Sequence, residues 1–103
     1  MKIIWSKFAK LQLDEIYFYL SKRESKSFAI KFRAEIISEP AKLLENPLIC
    51  QQEEFLKKRE IIYRYMVFKS YKIIYSINSN GNEIIINDVF HTKQNPSKLN
   101  RTI

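Results

Sequence analysis

"YRYMVFKSYKIIYSINSNGNEIIINDVFH", residues 63–91, decides the fold. Three runs lie in or against it: "IIYRYMVF" (61–68), "YKIIYSI" (71–77) and "EIIINDVFH" (83–91). Each is rich in β-branched and aromatic side chains, which suit a pleated, half-buried surface. Only Lys69-Ser70 separates the first two runs, which leaves room for a tight hairpin turn and nothing longer. "NSNGN" separates the second from the third, and Asn80-Gly81 within it is a strong turn signal. Gly81 is the sole glycine of the chain and falls where a positive φ is expected. The segment therefore reads as a three-stranded antiparallel meander. Strands apolar on both faces, as at Ile84, Ile85 and Ile86, indicate a central position or cover on both sides. Strict alternation in the last strand puts His91 on the face of Ile85 and Val89, and one bulge would reverse that.

Upstream the period is helical. "KIIW" (2–5) is a short β-type run, and Ser6 after it is a good N-cap for a helix through about Arg23. Ala9, Leu13, Ile16 and Leu20 form one face of that helix, flanked by Tyr17 and Tyr19. "RESKS" interrupts the pattern and offers Ser25 or Ser27 as the next cap. Ala29, Phe32 and Ile36 continue as a second stripe, with Leu43 and Leu44 beyond Pro40. A proline inside a helix costs about 3 kcal/mol. A kink near Pro40, or a restart capped by Ser38, is expected, and Pro47 ends the segment. The order is β-α-α-β-β-β, class α+β: a small antiparallel meander sheet with an N-terminal strand and a helical hairpin packed on one face.

At 103 residues the chain reads as one domain, 1–103. Hydrophobic residues make up 46%, which favours a globular chain over a disordered one. The apolar runs are far shorter than the roughly 20 residues of a membrane span. "MKIIWSKFAK" lacks a signal-peptide core and cleavage site. The lone cysteine, Cys50, leaves no internal disulfide. A soluble, cytoplasmic protein is expected, without a membrane role.

Charge narrows the partners. Eighteen Lys and Arg oppose eleven Asp and Glu, a net +7. Lys57, Lys58, Arg59, Arg64, Lys69 and Lys72 cluster between residues 57 and 72, opposed there only by Glu60. Such clustering is the footprint of a polyanion or an acidic protein partner; the bland reading is an ordinary basic surface.

Few kinds of chemistry remain open. One His and one Cys cannot make the usual zinc site, and one glycine cannot build a phosphate loop, so neither metal nor small-molecule cofactor is expected. Asp14-Glu15 reads as a solvated helix face and Cys50 as a small apolar residue. What remains is on the sheet: Glu53, Glu54 and Glu60 precede or open its first meander strand, Arg64 lies in it, and His91 ends the last. Cleaving RNA through its own 2′-hydroxyl needs a base, an acid and fixed positive charge at the phosphorane. Glu or Lys, His and Arg can fill those roles, with proton transfer contributing about 10²–10⁴-fold. The structural alternative is that Arg64 pairs with a glutamate and His91 caps the sheet edge.

Taken in order, "SKFAKLQLDEIYFYL" (6–20), "YRYMVFKSYKIIYSI" (63–77) and "IIINDVFHTKQNP" (84–96) resemble the RelE/ParE superfamily, the stable toxins of type II toxin–antitoxin modules. The resemblance covers nearly the whole chain; no single motif is diagnostic, but the ordered set is fairly specific. It implies a growth-inhibiting toxin whose partner is a cognate antitoxin with a flexible, often acidic segment. It also implies that Lys57, Lys58, Arg59, Lys69, Lys72 and Lys93 touch RNA or the antitoxin. RelE-like members cleave mRNA in the ribosomal A site, some with a Glu-Arg-His set. Arg64 and His91 fall at similar positions, and the glutamate is Glu54 or Glu60. ParE-like members inhibit DNA gyrase without catalysing a reaction, and their longer hairpin and "V-x-H" ending also match residues 7–46 and "VFH". The tyrosine found near the His in some RNA-cleaving members is absent, since Thr92 follows His91 and Tyr75 is the last tyrosine. The basic cluster beside Arg64 tips the expectation to a ribosome-dependent mRNA endonuclease. Gyrase inhibition is the alternative, and a generic basic nucleic-acid- or protein-binding module is a third reading.

Overall fold

The computed structural model describes residues 1–94 and 96–101. Its main elements are β1 (Lys2–Trp5), α1 (Lys7–Arg23), α2 (Lys26–Ser38), β2 (Arg64–Phe68), β3 (Tyr71–Asn78) and β4 (Glu83–His91). Short 3₁₀ segments cover Glu39–Leu44, Glu54–Leu56 and Pro96–Arg101. Asn95, within the closing "HTKQNP" motif, lies outside the described residues.

Local chemistry sets the helix ends. Ser6 is extended, and its Oγ accepts the Ala9 N–H at 3.0 Å, satisfying one of the free donors of the first turn. Of the two serines open for α2, Ser25 is the cap, its Oγ accepting from the Phe28 N–H at 3.0 Å. At Pro40 the chain tightens into the 3₁₀ segment, with the proline in its first turn, where a missing N–H costs nothing. Ser38 does not cap that restart: its hydroxyl donates back to the Glu35 carbonyl at 2.8 Å.

The sheet order is β1-β4-β3-β2. β2, β3 and β4 form the antiparallel meander, while β1 joins β4 in parallel, from Lys2 beside Glu83 to Trp5 beside Ile86. The two-helix crossover supplies the long connection that a parallel pair requires. β4 is thus central, which accounts for its apolar faces. β2 begins at Arg64 and not at Ile61, and residues 51–53 pair along its outer edge. Tyr65 N–H donates to the Gln51 carbonyl at 3.0 Å, and Glu53 N–H to the Tyr63 carbonyl at 2.8 Å.

The turns differ from expectation in one respect. Gly81 does not carry the positive φ; Asn82 does, at 52°, and Lys69 takes φ 53° in the first hairpin. Asparagine tolerates the left-handed region through local polar contacts, which frees Gly81 from that duty. The Gly81 N–H instead donates to Asn78 Oδ1 at 3.3 Å.

β4 contains a bulge. Ile74 stands opposite Asp88 but Tyr75 opposite Ile86, so Asn87 is an extra residue with no partner in the ladder. Its Nδ2 donates to Ser76 Oγ at 2.9 Å, and its carbonyl accepts from Ser6 Oγ at 3.4 Å. The bulge sets the facing of everything after it. Ile84 and Ile86 before it, and Val89 and His91 after it, all look toward the helices. His91 therefore keeps Val89 as a face-mate but not Ile85.

Both faces of the sheet are covered. On one, Ala9, Leu13, Phe32 and Ile36 pack on Ile73, Tyr75, Ile84 and Ile86. On the other, Leu56 and Leu99 from the 3₁₀ segments close over Ile74, Phe90 and Tyr63. Each fully buried aliphatic contributes about 1.5–3 kcal/mol relative to exposure. Two ion pairs tie down this second layer: Lys72 to Glu53 at 2.7 Å, and Arg101 to Asp88 at 3.1 Å. No helix among the described residues is long and apolar enough to cross a membrane.

Candidate functional site

Arg64 and His91 share the helix-facing side of the sheet but not a site. Arg64 is paired with Tyr75 and His91 with Tyr71, four positions apart on β3. At about 3.3 Å per residue this is about 13 Å along the strand, with the two residues on opposite sides of β3. Each is engaged locally. Arg64 Nη1 donates to the Cys50 carbonyl at 2.9 Å, while Tyr75 Oη donates to the Pro47 carbonyl at 2.8 Å. Together they anchor the irregular stretch after the 3₁₀ segment at Glu39–Leu44. Burial, then the Cys50 side chain, raises the Tyr75 hydroxyl above its ordinary range, so it remains a donor.

His91 closes a turn. Its Nδ1 accepts the Lys93 N–H at 3.0 Å, and its backbone N–H donates to Gln94 Oε1 at 3.1 Å. An accepting Nδ1 places the proton of the neutral ring on Nε2. The ring meets Tyr71 edge-on, with centroids 4.9 Å apart. Both aromatic residues line a cleft of about 400 Å³ between α1 and the ends of β3 and β4.

The glutamates lie elsewhere. Glu54 is exposed and paired with Lys57 at 2.9 Å. Glu60 lines a separate depression with Arg64, Ile61 and Ile62, so it is the glutamate on the Arg64 side. Neither lines the His91 cleft. Glu53, buried on the far layer, is taken by Lys72.

The basic residues do not form one stripe. Lys58 and Lys93 are exposed. Arg59 lies over the Tyr63 ring at 5.7 Å. Lys69 sits over Phe32 and Phe68 at 5.6 and 5.4 Å, toward the helices. Lys72 faces the opposite way, 4.3 Å from the Tyr65 ring centroid. No group of three or more His, Cys, Asp or Glu among the described residues could hold a metal ion.

Two features escape sequence reasoning. Tyr71 and Tyr19 wall the His91 cleft, and only the hairpin register that sets Tyr71 beside His91 could have pointed to it. The outward faces of the helical hairpin are also unusually apolar: Leu11 and Phe18 on α1, Ile30 and Ile37 on α2, with Phe18 65% exposed.

With this geometry in place, the family comparison is decisive. The model for the ParE toxin of type II toxin–antitoxin systems, parDE, matches residues 3–96. The chain belongs to the ParE toxin family. It is the toxin component of a type II system, and a cognate antitoxin is its partner. The fold of this ParE toxin is similar to a solved chain of the chromosomal ParDE toxin–antitoxin system from P. aeruginosa. The TM-score is 0.71 at 18% identity, over 90% of this chain and 97% of that one. No curated protein matches the toxin.

Proposed function

We propose that this ParE toxin acts in the cytoplasm without catalysis, by binding DNA gyrase, in preference to the mRNA cleavage toward which its basic cluster points. One observation carries the choice: Arg64 and His91 stand about 13 Å apart along β3, by strand geometry. A general acid or base must come within about 2.6–3.2 Å of the proton it transfers, directly or through one water. The Arg64 guanidinium is turned to the Cys50 carbonyl, and neither it nor Glu54 nor Glu60 lines the cleft that holds His91. Family membership adds weight, since ParE-like toxins are the gyrase-inhibiting branch of the superfamily. So does the hairpin, whose exposed Leu11, Phe18, Ile30 and Ile37 suit docking on a protein surface.

The test is direct. Purified toxin added to gyrase and relaxed plasmid should block supercoiling and trap gyrase-linked DNA breaks, while mRNA in a translation extract stays intact at the A site. Cleavage of A-site codons by substoichiometric toxin, with gyrase unaffected, would overturn the proposal and restore the endonuclease.

A further inference from the structure

The cleft beside His91 has the chemistry of a binding site, whatever the toxin's target. Tyr71 is only 8% exposed, yet its hydroxyl has no hydrogen-bond partner among the described residues. Among the described residues no buried side-chain polar atom is left unsatisfied, so this hydroxyl meets solvent, and Tyr71 lines the cleft. A buried ring presenting one unused polar atom to a cavity is poised for a ligand.

The groups around it are mostly donors. His91, with Nδ1 occupied by Lys93, has its Nε2–H unused. Tyr19 accepts from Arg23 at 2.8 Å, so its own proton is free to donate. Gln94 spends its carbonyl on the His91 backbone and keeps its amide N–H groups. Burial, then the nearby Tyr19, raises the Tyr71 hydroxyl above its ordinary range, so it stays protonated and donating. Ile16 and Val89 supply an apolar lining. Among the described residues, Glu15, exposed on α1, is the only carboxylate lining the cleft.

We infer that this cleft is a carboxylate-accepting site, filled by an acidic side chain of the antitoxin. The inference rests on the antitoxin partnership and is independent of the gyrase reading. An Asp or Glu side chain offers a short aliphatic stem for Ile16 and Val89 and two oxygens for the Tyr71 and His91 donors. The net charge of +7 favours such a partner. A phosphate fits less well. The cation lining the cleft, Arg101, is already committed to Asp88, and Glu15 repels a dianion more than a monoanion.

Three probes test the site on the full chain by NMR: N-acetyl-glutamate N-methylamide, its glutamine counterpart, and inorganic phosphate. The glutamate probe should saturably shift the Tyr71 ring and His91 Nε2 signals, and the glutamine probe should bind at least several-fold more weakly. Tyr71→Phe should weaken glutamate binding about fivefold and leave the thermal midpoint of the free protein unchanged, because the lost hydroxyl has no internal partner. Glu15→Gln should strengthen binding. Three outcomes would overturn the assignment: phosphate binding more tightly at the same residues, no saturable shift with any probe, or glutamate binding indifferent to Tyr71→Phe.

Discussion

Lys72 Nζ lies 2.7 Å from Oε1 and 3.3 Å from Oε2 of Glu53, a glutamate only 1% exposed. The lysine stands on β3, so the pair pins the loop before β2 to the sheet's second face. Lys72→Met should strand the carboxylate and lower stability by about 2–3 kcal/mol in urea unfolding. Glu53→Gln added to it should recover part of that loss. An additive double mutant would mean that the two side chains are not coupled.

Asn87 carries the next prediction. Its deletion would remove the bulge and make Ile86 and Asp88 consecutive, opposite Tyr75 and Ile74 as they already are, so Asp88, Val89, Phe90 and His91 should keep their faces. The shortened chain should still fold, with reduced stability from the lost Ser76 and Ser6 bonds, and a lost near-UV circular dichroism signal would show that the bulge is needed for the sheet to close. Asn87→Ala keeps the backbone length and removes only the bond to Ser76, so it should fold and lose about 1–2 kcal/mol.

Ser25→Ala should cost about 1 kcal/mol by removing the α2 cap. The thermal midpoint should then fall by about 4–8 °C, as for a domain of this size. Ser27→Ala, one turn position away, should change stability by less than about 0.5 kcal/mol. Equal effects of the two would reassign the cap.

Phe18→Asp tests the outward face of the hairpin. The side chain is largely exposed, so folding should be unaffected. The concentration needed to inhibit gyrase should rise roughly tenfold or more if Phe18 anchors the contact. Unchanged inhibition would place that contact elsewhere on the toxin.

Charge reversal at Lys57 and Lys58 should act on the rate of antitoxin association more than on dissociation, because rim charges steer encounter. A roughly tenfold slower on-rate at low salt, converging with wild type as salt rises, is expected. Arg59 is left in place because its guanidinium packs over Tyr63. Identical rates at low salt would show that this cluster lies outside the encounter surface.

Much of the fold is legible because local patterns carry it. The Ser6 cap, the Ala9–Leu13–Leu20 face and the two hairpin turns are decided by residues near one another in sequence. The bulge at Asn87 is not, since it depends on Ser76 and Ser6, which become neighbours only once the sheet forms. The same limit governs the site. Arg64 and His91 are each visible as polar residues at strand ends, but their separation follows from register across two strand pairs. Glu53 reads as one more surface acid until Lys72, nineteen residues on, is seen to cover it. Tyr71 reads as an ordinary strand aromatic, because no pattern in the sequence reveals an unused hydroxyl.

The parallel pairing of β1 with β4 has a consequence for how the toxin comes into being. Lys2–Trp5 leaves the ribosome some eighty residues before its neighbour, Glu83–Ile86. Until then both helices have no sheet to cover, and closing so long a loop cannot be rewarded by partial contacts. The native sheet therefore waits for the release of β4. A message cut short before β4 yields a fragment without this central strand, with β1 left unpaired.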